Sequence, residues 1–219
     1  MGKDRFNLNK ECIELGYTQE LLTQGLRILD MYYGEKVCLR ALELEDLDAV
    51  MENWNNLEMR RYLATAWPMS KNAERKWLER VTTMDPWKDG GMVLAIEDKK
   101  TQEFLGTVSF FDISKQNQRA ELGIAIHNPE NFGKGYGTDT IRVMLWVGFH
   151  VLGLNSIFLI TLDENDRAQR AYEKAGFKPV GRYRQATYMM GKFHDYIIMD
   201  SIREDFLKEY PPGTYVNEP

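Results

Sequence analysis

Residues 131–149 read NFGKGYGTDTIRVMLWVGF, and the fold turns on what this stretch is built to hold. Gly133, Gly135 and Gly137 alternate with Lys134 and Tyr136 before an apolar run takes over. Glycine adopts positive φ at little cost and leaves the backbone open to a ligand. Thr138, Asp139 and Thr140 are polar residues suited to a helix start, and the recurrence of Ile141, Leu145, Gly148 and Leu152 continues it as a helix. Backbone N–H groups at a helix N-terminus, reached through a glycine loop, make an anion site, and phosphate is the expected anion. The order is not GxxxxGK[ST], and GxGxG after the turn-rich HNPENF is not the GxGxxG dinucleotide turn. A tight turn capping a core helix remains the alternative for this stretch alone. The rest of the chain has to decide.

A length of 219 residues suits one domain with an appendage. No apolar run reaches membrane-spanning length, and the start MGKDRFNLNK lacks the apolar core of a signal peptide. With only Cys12 and Cys38 there is no disulfide framework and no zinc cluster, so the expectation is a cytoplasmic protein without a metal. A Cys12–Cys38 bridge stays open. A net charge of −5 argues against nucleic acid as a general partner and is compatible with a cationic substrate.

Three regions are expected: a helical extension over 1–34, a main domain over 35–205 and a tail over 206–219. In the extension, Leu22, Leu26, Leu29 and Tyr33 share one helical face, which would pack on the main domain or on a second subunit; a homodimer is therefore expected. VCLRAL (37–42) reads as a strand, followed by helical spacing at Leu47, Val50, Met51 and Trp54. Glu43, Glu45, Asp46, Asp48 and Glu52 read as a solvated helix face rather than a cation site. Ser70 caps a second helix over 70–81. MVLAIED and FLGTVSFFDI read as a hairpin, AELGIAI as the next strand and SIFLITL as a buried one. A helix over DRAQRAYEKAG and two strands around MMGKFHD complete the chain. The fold expected is α/β (α+β mixed), with one central mixed sheet of about seven strands flanked by helices.

NDRAQRAYEKAGF (165–177) is the second constellation. Ala168, Ala171, Tyr172 and Ala175 share a helical face, thin enough to lie close against a ligand or a sheet. Gly176 suits the helix stop and Phe177 the hydrophobic closure after it. A core tyrosine with a satisfied hydroxyl is the alternative for Tyr172.

Together these motifs resemble the GNAT superfamily of acetyl-CoA-dependent N-acetyltransferases, over about Lys36 to Arg203. FGKGYG (132–137) is similar to the family's pyrophosphate loop, [Q/R]xxGx[G/A], although Phe132 stands where many members carry Gln or Arg. Asn165, Ala168, Tyr172, Gly176 and Phe177 meet the family pattern N-x-x-A-x-x-x-Y-x-x-x-G-F. LRALELEDLDAVMENWNNLEMRRYL and GKFHDYIIM (191–199) resemble the branch of the ribosomal-protein acetyltransferases RimJ and RimL, and equally the related spermidine/spermine acetyltransferases.

The resemblance implies that AELGIAI and SIFLITL splay apart and that the pantetheine arm pairs with backbone at Ile124 and Ile126. It implies a pyrophosphate cradle at Gly133, Lys134, Gly135, Tyr136, Gly137 and Thr138, and a cofactor contact at Asn165. Lys174 or Arg170 would meet the adenine-side phosphate. Attack requires an uncharged amine, so a base is needed; Glu121 is the first candidate, and His127 and His194 are alternatives. Tyr172 would donate a proton to the departing thiolate. The expected reaction is direct acetyl transfer from acetyl-CoA in a ternary complex. A protein or peptide N-terminal amine is the first acceptor, then a polyamine, then another small amine. An acyl-CoA-binding module without turnover is the alternative of another class.

Overall fold

The computed structural model describes residues 30–63 and 67–212. Its strands are β1 (Asp30–Tyr33), β2 (Val37–Ala41), β3 (Met92–Asp98), β4 (Phe104–Ser114), β5 (Arg119–Ile126), β6 (Ser156–Leu162), β7 (Lys178–Met189) and β8 (Lys192–Ile202). They form one eight-stranded sheet in the order β1-β2-β3-β4-β5-β6-β8-β7. The pairs β2–β3, β3–β4 and β4–β5 are antiparallel, β5 and β6 are parallel, and β6, β8 and β7 are again antiparallel. The mixed sheet expected from sequence is present, with eight strands rather than about seven.

The additional strand is β1, and it corrects the reading of Tyr33 as the end of a helical face. The chain reverses at Gly34, whose N–H donates to the Val37 carbonyl at 2.9 Å. Tyr32 then packs against Trp146 with ring centroids 6.2 Å apart. Aromatic residues suit a strand edge with such a contact, and here they override the helical spacing. Leu22, Leu26, Leu29 and Cys12 lie outside the described residues, so the helix and homodimer expected there do too. Cys38 is buried in β2.

Helices α1 (Leu47–Trp54), α2 (Leu57–Arg60) and α3 (Lys71–Val81) connect β2 to β3. A short 3-10 turn, Leu44–Asp46, leads into α1. The helical spacing breaks at Asn55 and Asn56. Asn56 caps α2 by accepting from the Glu58 amide at 2.9 Å. Asn55 bonds both backbone groups of Met69, at 2.8 and 2.9 Å. Ser70 caps α3 through the Ala73 amide at 3.1 Å, as its residue type predicts. On this side of the sheet Leu42, Leu47, Leu78, Val81, Val93 and Ala95 form a small core.

Helix α4 (Tyr136–Trp146), with a π-helical turn at Val147–Val151, packs with α5 (Asp166–Lys174) and α6 (Arg203–Glu209) into the larger core. Leu39, Val108, Phe110, Ile141, Leu145 and Ile157 are fully enclosed there. Gly148 is needed at this contact: a Cβ would lie 2.4 Å from Ile157 Cδ1 and 3.0 Å from Phe110 Cζ. Helix α6 adds buried Phe206, which packs on Phe149 at 5.2 Å. No helix among the described residues is long and apolar enough to cross a membrane.

Candidate active site

Strands β5 and β6 pair only through Arg119–Ser156, Ala120–Ile157 and Glu121–Phe158. Beyond Glu121 they separate, opening a gap of the kind the family resemblance implies. On β5, His127 N–H donates to Leu105 O at 2.9 Å and Gly123 O accepts from Ser109 Oγ at 3.3 Å. A Cβ on Gly106 would meet Ala125 O at 2.0 Å. Residues 123, 125 and 127 thus turn their main-chain groups toward β4. Strand alternation then turns those of Leu122, Ile124 and Ile126 the other way, into the gap.

The gap opens into a cleft of about 640 Å³. Of the residues predicted from sequence, Glu121, Ile124, Ile126, Gly133, Gly135, Tyr136, Gly137, Thr138, Asn165, Tyr172 and Lys174 line it. Lys134 does not. Its ammonium bonds Asn131 Oδ1 at 2.9 Å, and its carbonyl accepts from Lys36 Nζ at 2.7 Å. These bonds hold the loop from behind.

Gly133 and Gly135 have φ of +73° and +91°, the left-handed region that glycine enters without strain. Gly135 is the N-cap of α4, so the helix starts two residues before the polar trio that was expected to open it. Asp139 is turned away from the cleft instead. It accepts from the Lys36 and Val37 amides at 2.7 and 3.0 Å, binding the first turn of α4 to the β1–β2 turn. The Tyr136 hydroxyl likewise donates to Asp98 Oδ2 and ties the loop to the end of β3. Of the three loop glycines, Gly133 and Gly137 face free space: a Cβ at either would meet nothing within 4 Å. A helix N-terminus behind a Cβ-free surface fits a pyrophosphate. Asn131, also on the cleft wall, is buried with its Nδ2 lacking a hydrogen-bond partner.

On the opposite wall, Asn165 caps α5 by accepting from the Ala168 amide at 3.2 Å. Gly176, at φ +104°, ends it, and the Phe177 N–H closes back on Tyr172 O at 3.0 Å. Ala168, Ala171 and Tyr172 present the thin face to the cleft. The Tyr172 ring meets Phe177 edge to face at 5.9 Å. Burial pushes its phenol up to about 12, so it remains a proton donor at neutral pH.

Glu121 also borders a slim pocket of about 210 Å³ walled by Tyr62, Leu63, Ile160, Thr161, Thr187 and Tyr196, among others. Burial first, and the Asp112 charge second, raise its pKa above the ordinary carboxylate value. The two histidines lie elsewhere. His127 is enclosed between Trp54 and Phe104, at 4.9 and 5.4 Å, and burial lowers its pKa to about 4. His194 lines a separate outer pocket of about 600 Å³ with Glu58, Arg61, Glu164 and Lys192. Sequence reasoning missed Arg167 and Asn131, which line the cleft but stand outside the motif positions.

A sequence model of the acetyltransferase (GNAT) domain matches residues 36–178. The spermidine N(1)-acetyltransferase of Escherichia coli K12 is 30% identical over 187 residues, which cover 85% of this chain and 97% of that protein. The uncharacterized N-acetyltransferase YoaA of Bacillus subtilis is 27% identical over 161 residues, covering 74% of this chain and 90% of that protein. The crystal structure of the Vibrio cholerae spermidine N-acetyltransferase with CoA and spermine superposes with a TM-score of 0.70. That chain is 26% identical, and the match covers 78% of this chain and 98% of that one. With the splayed strands, the glycine loop and the family match in agreement, the chain belongs to the GNAT family of acetyl-CoA-dependent N-acetyltransferases.

Proposed function

We propose that this acetyltransferase acts on a primary aliphatic amine by direct attack in a ternary complex, with a polyamine as acceptor. One observation carries the reading: Glu121 borders both the cofactor-sized cleft and the slim pocket beside it. That pocket shares Tyr62, Leu162 and Met189 with the outer pocket, where Glu58 and Glu164 stand. The outer pocket also holds Arg61 and Lys192, and Lys192 pairs with Glu164, so Glu121 and Glu58 are the carboxylates left to attract a chain carrying several ammonium groups. The likeness to two spermidine acetyltransferases supports the same class.

Bound acetyl-CoA supplies an activated acetyl group. In this reading, Gly133, Gly135, Tyr136, Gly137 and Thr138 offer amides and the helix dipole to its pyrophosphate. Ile124 and Ile126 pair with the pantetheine arm as an added strand. Asn165 meets that arm near the mouth, and Lys174 the adenine-side phosphate. An amine of pKa about 10.4 arrives as ammonium at neutral pH. Glu121 takes that proton, directly or through water, and its raised pKa makes it a better acceptor than an ordinary carboxylate. Tyr172 gives its phenol proton to the departing sulfur.

The peptide N-terminal amine keeps one observation in its favour. Tyr188 and Phe193 are exposed and meet edge to face at 5.2 Å, and exposed Met190 in the same hairpin lines the outer pocket. Such an aromatic surface suits a protein partner. Release of CoA thiol from acetyl-CoA with spermidine, a short peptide, lysine and an aminoglycoside tests the choice. Spermidine is expected to give the highest kcat/KM; a faster peptide reverses the assignment.

A further inference from the structure

Phe132, the residue before the first loop glycine, carries a guanidinium on its ring: Arg167 Cζ lies 3.6 Å from the centroid. Arg167 comes from the first turn of α5, so the contact crosses the cleft mouth from one wall to the other. The Tyr62 ring lies on a further side, 5.7 Å from the same Cζ. A guanidinium lying on a ring directs its five N–H donors outward in its own plane.

None of these donors reaches a carboxylate or carbonyl among the described residues. Arg40 shows the contrast. Burial lowers its pKa, but the bonds and charges of Asp46 and Glu97 more than offset that and leave it raised. At Arg167 burial also lowers the pKa, and Tyr62 and Glu58 do not offset it. A cation in the first turn is also opposed by the dipole of its own helix. Arg167 is therefore an exposed side chain held in place by stacking, with Glu58 acting on it only at a distance, beside a loop suited to phosphate.

We infer that Arg167 is a further cofactor-binding residue: its guanidinium, shelved on Phe132, donates in-plane to the pyrophosphate of acetyl-CoA. It thereby adds charge to a cradle otherwise made of backbone amides. The inference rests on acetyl-CoA occupying this cleft and is independent of which amine is acetylated.

Equilibrium binding to the full chain, by calorimetry, tests it with CoA, 3′-dephospho-CoA and S-acetyl-pantetheine, the last also as a competitor. Arg167→Gln is expected to weaken CoA and 3′-dephospho-CoA equally, by tenfold or more, as a lost charge-assisted hydrogen bond does. S-acetyl-pantetheine, which has no pyrophosphate, should be affected less than twofold. Phe132→Leu should weaken CoA in the same direction, with no further loss when combined with Arg167→Gln. Equal weakening of all three ligands makes Arg167 a latch between helix and loop and overturns the inference. A loss confined to CoA assigns it to the ribose phosphate and overturns it as well, as does unchanged CoA binding. Failure of the parent chain to bind CoA would instead remove the cofactor assignment itself.

Discussion

Arg40 grips Asp46 through two parallel bonds, Nη1 to Oδ2 and Nη2 to Oδ1, each 2.8 Å long. Its Nε donates to Glu97 Oε1 at 2.7 Å. All three residues are buried, so Asp46 is not part of the solvated acidic face that its neighbours suggest. The group joins β2, β3 and the turn that launches α1. Arg40→Ala leaves two buried carboxylates without their cation. A loss of about 3–5 kcal/mol in unfolding free energy is expected, measured by urea titration.

Two of the loop glycines, Gly135 and Gly137, separate cofactor binding from stability. Gly137 has helical backbone and faces free space, so Gly137→Val should fold with nearly parental Tm while raising the acetyl-CoA KM at least tenfold. Gly135 sits at φ +91° with Lys36 Nζ 3.2 Å from a would-be Cβ. Gly135→Val should therefore also lower Tm, because a β-branched residue is strained there. Normal acetyl-CoA binding by Gly137→Val would displace the cradle.

Glu121→Gln nearly preserves shape and removes the base, so the rate at neutral pH should fall roughly 10²–10⁴-fold. Part of the loss should return as pH approaches the pKa of the amine. Asp112 helps hold the Glu121 pKa up, after burial. Asp112→Asn should accordingly move the acid limb of the kcat/KM profile to lower pH. An acid limb that does not move, or a uniform loss at every pH in Glu121→Gln, would assign Glu121 to positioning.

Tyr172→Phe keeps the ring on Phe177 and deletes the donor. A large fall in kcat is expected, with acetyl-CoA affinity and Tm close to the parent. Because the folded phenol titrates near 12 and an unfolded one near 10, its share of stability is complete below pH 10. The parent should lose that stability as pH rises from about 10 to 12, whereas Tyr172→Phe, with no phenol to ionise, should show no such decline. A variant that turns over at the parental rate would make Tyr172 a packing residue.

His127 acts on acid stability instead of catalysis. Its folded pKa of about 4 lies below the unfolded value near 6.5, so its contribution is complete above pH 6.5 and disappears as pH falls toward 4. That difference corresponds to about 3 kcal/mol. His127→Phe should flatten that part of the stability profile while leaving the pH–rate profile unchanged, as followed by urea unfolding between pH 4 and 7.

Local signals made most of the site legible. The thin alanine face and Tyr172 follow from helical period, and α5 begins and ends at Asn165 and Gly176 because capping is a property of adjacent residues. The strands β3 to β6 follow from apolar runs bounded by turns. The glycine spacing marks a loop open to phosphate. All of these depend on residues within about one turn or one strand of each other, and one chain suffices to read them.

The sequence by itself therefore determined the family pattern, the mixed sheet and the cleft positions on β5, the glycine loop and the alanine face of α5. Tertiary structure decided what depends on residues distant in the chain. Asp139 looks like a helix-start residue until Val37, 102 positions away, supplies the amide it binds. Tyr33 fits a helical face until Gly34 reverses the chain and β2 takes β1 as a neighbour. Asp46 looks solvated until Arg40 folds over it, and His127 looks available as a base until Trp54 and Phe104 enclose it. Arg167 has no motif at all; its place on Phe132 exists only because α5 and the glycine loop face each other across the cleft. Burial and partner choice are set by the packed arrangement, which local periodicity does not encode.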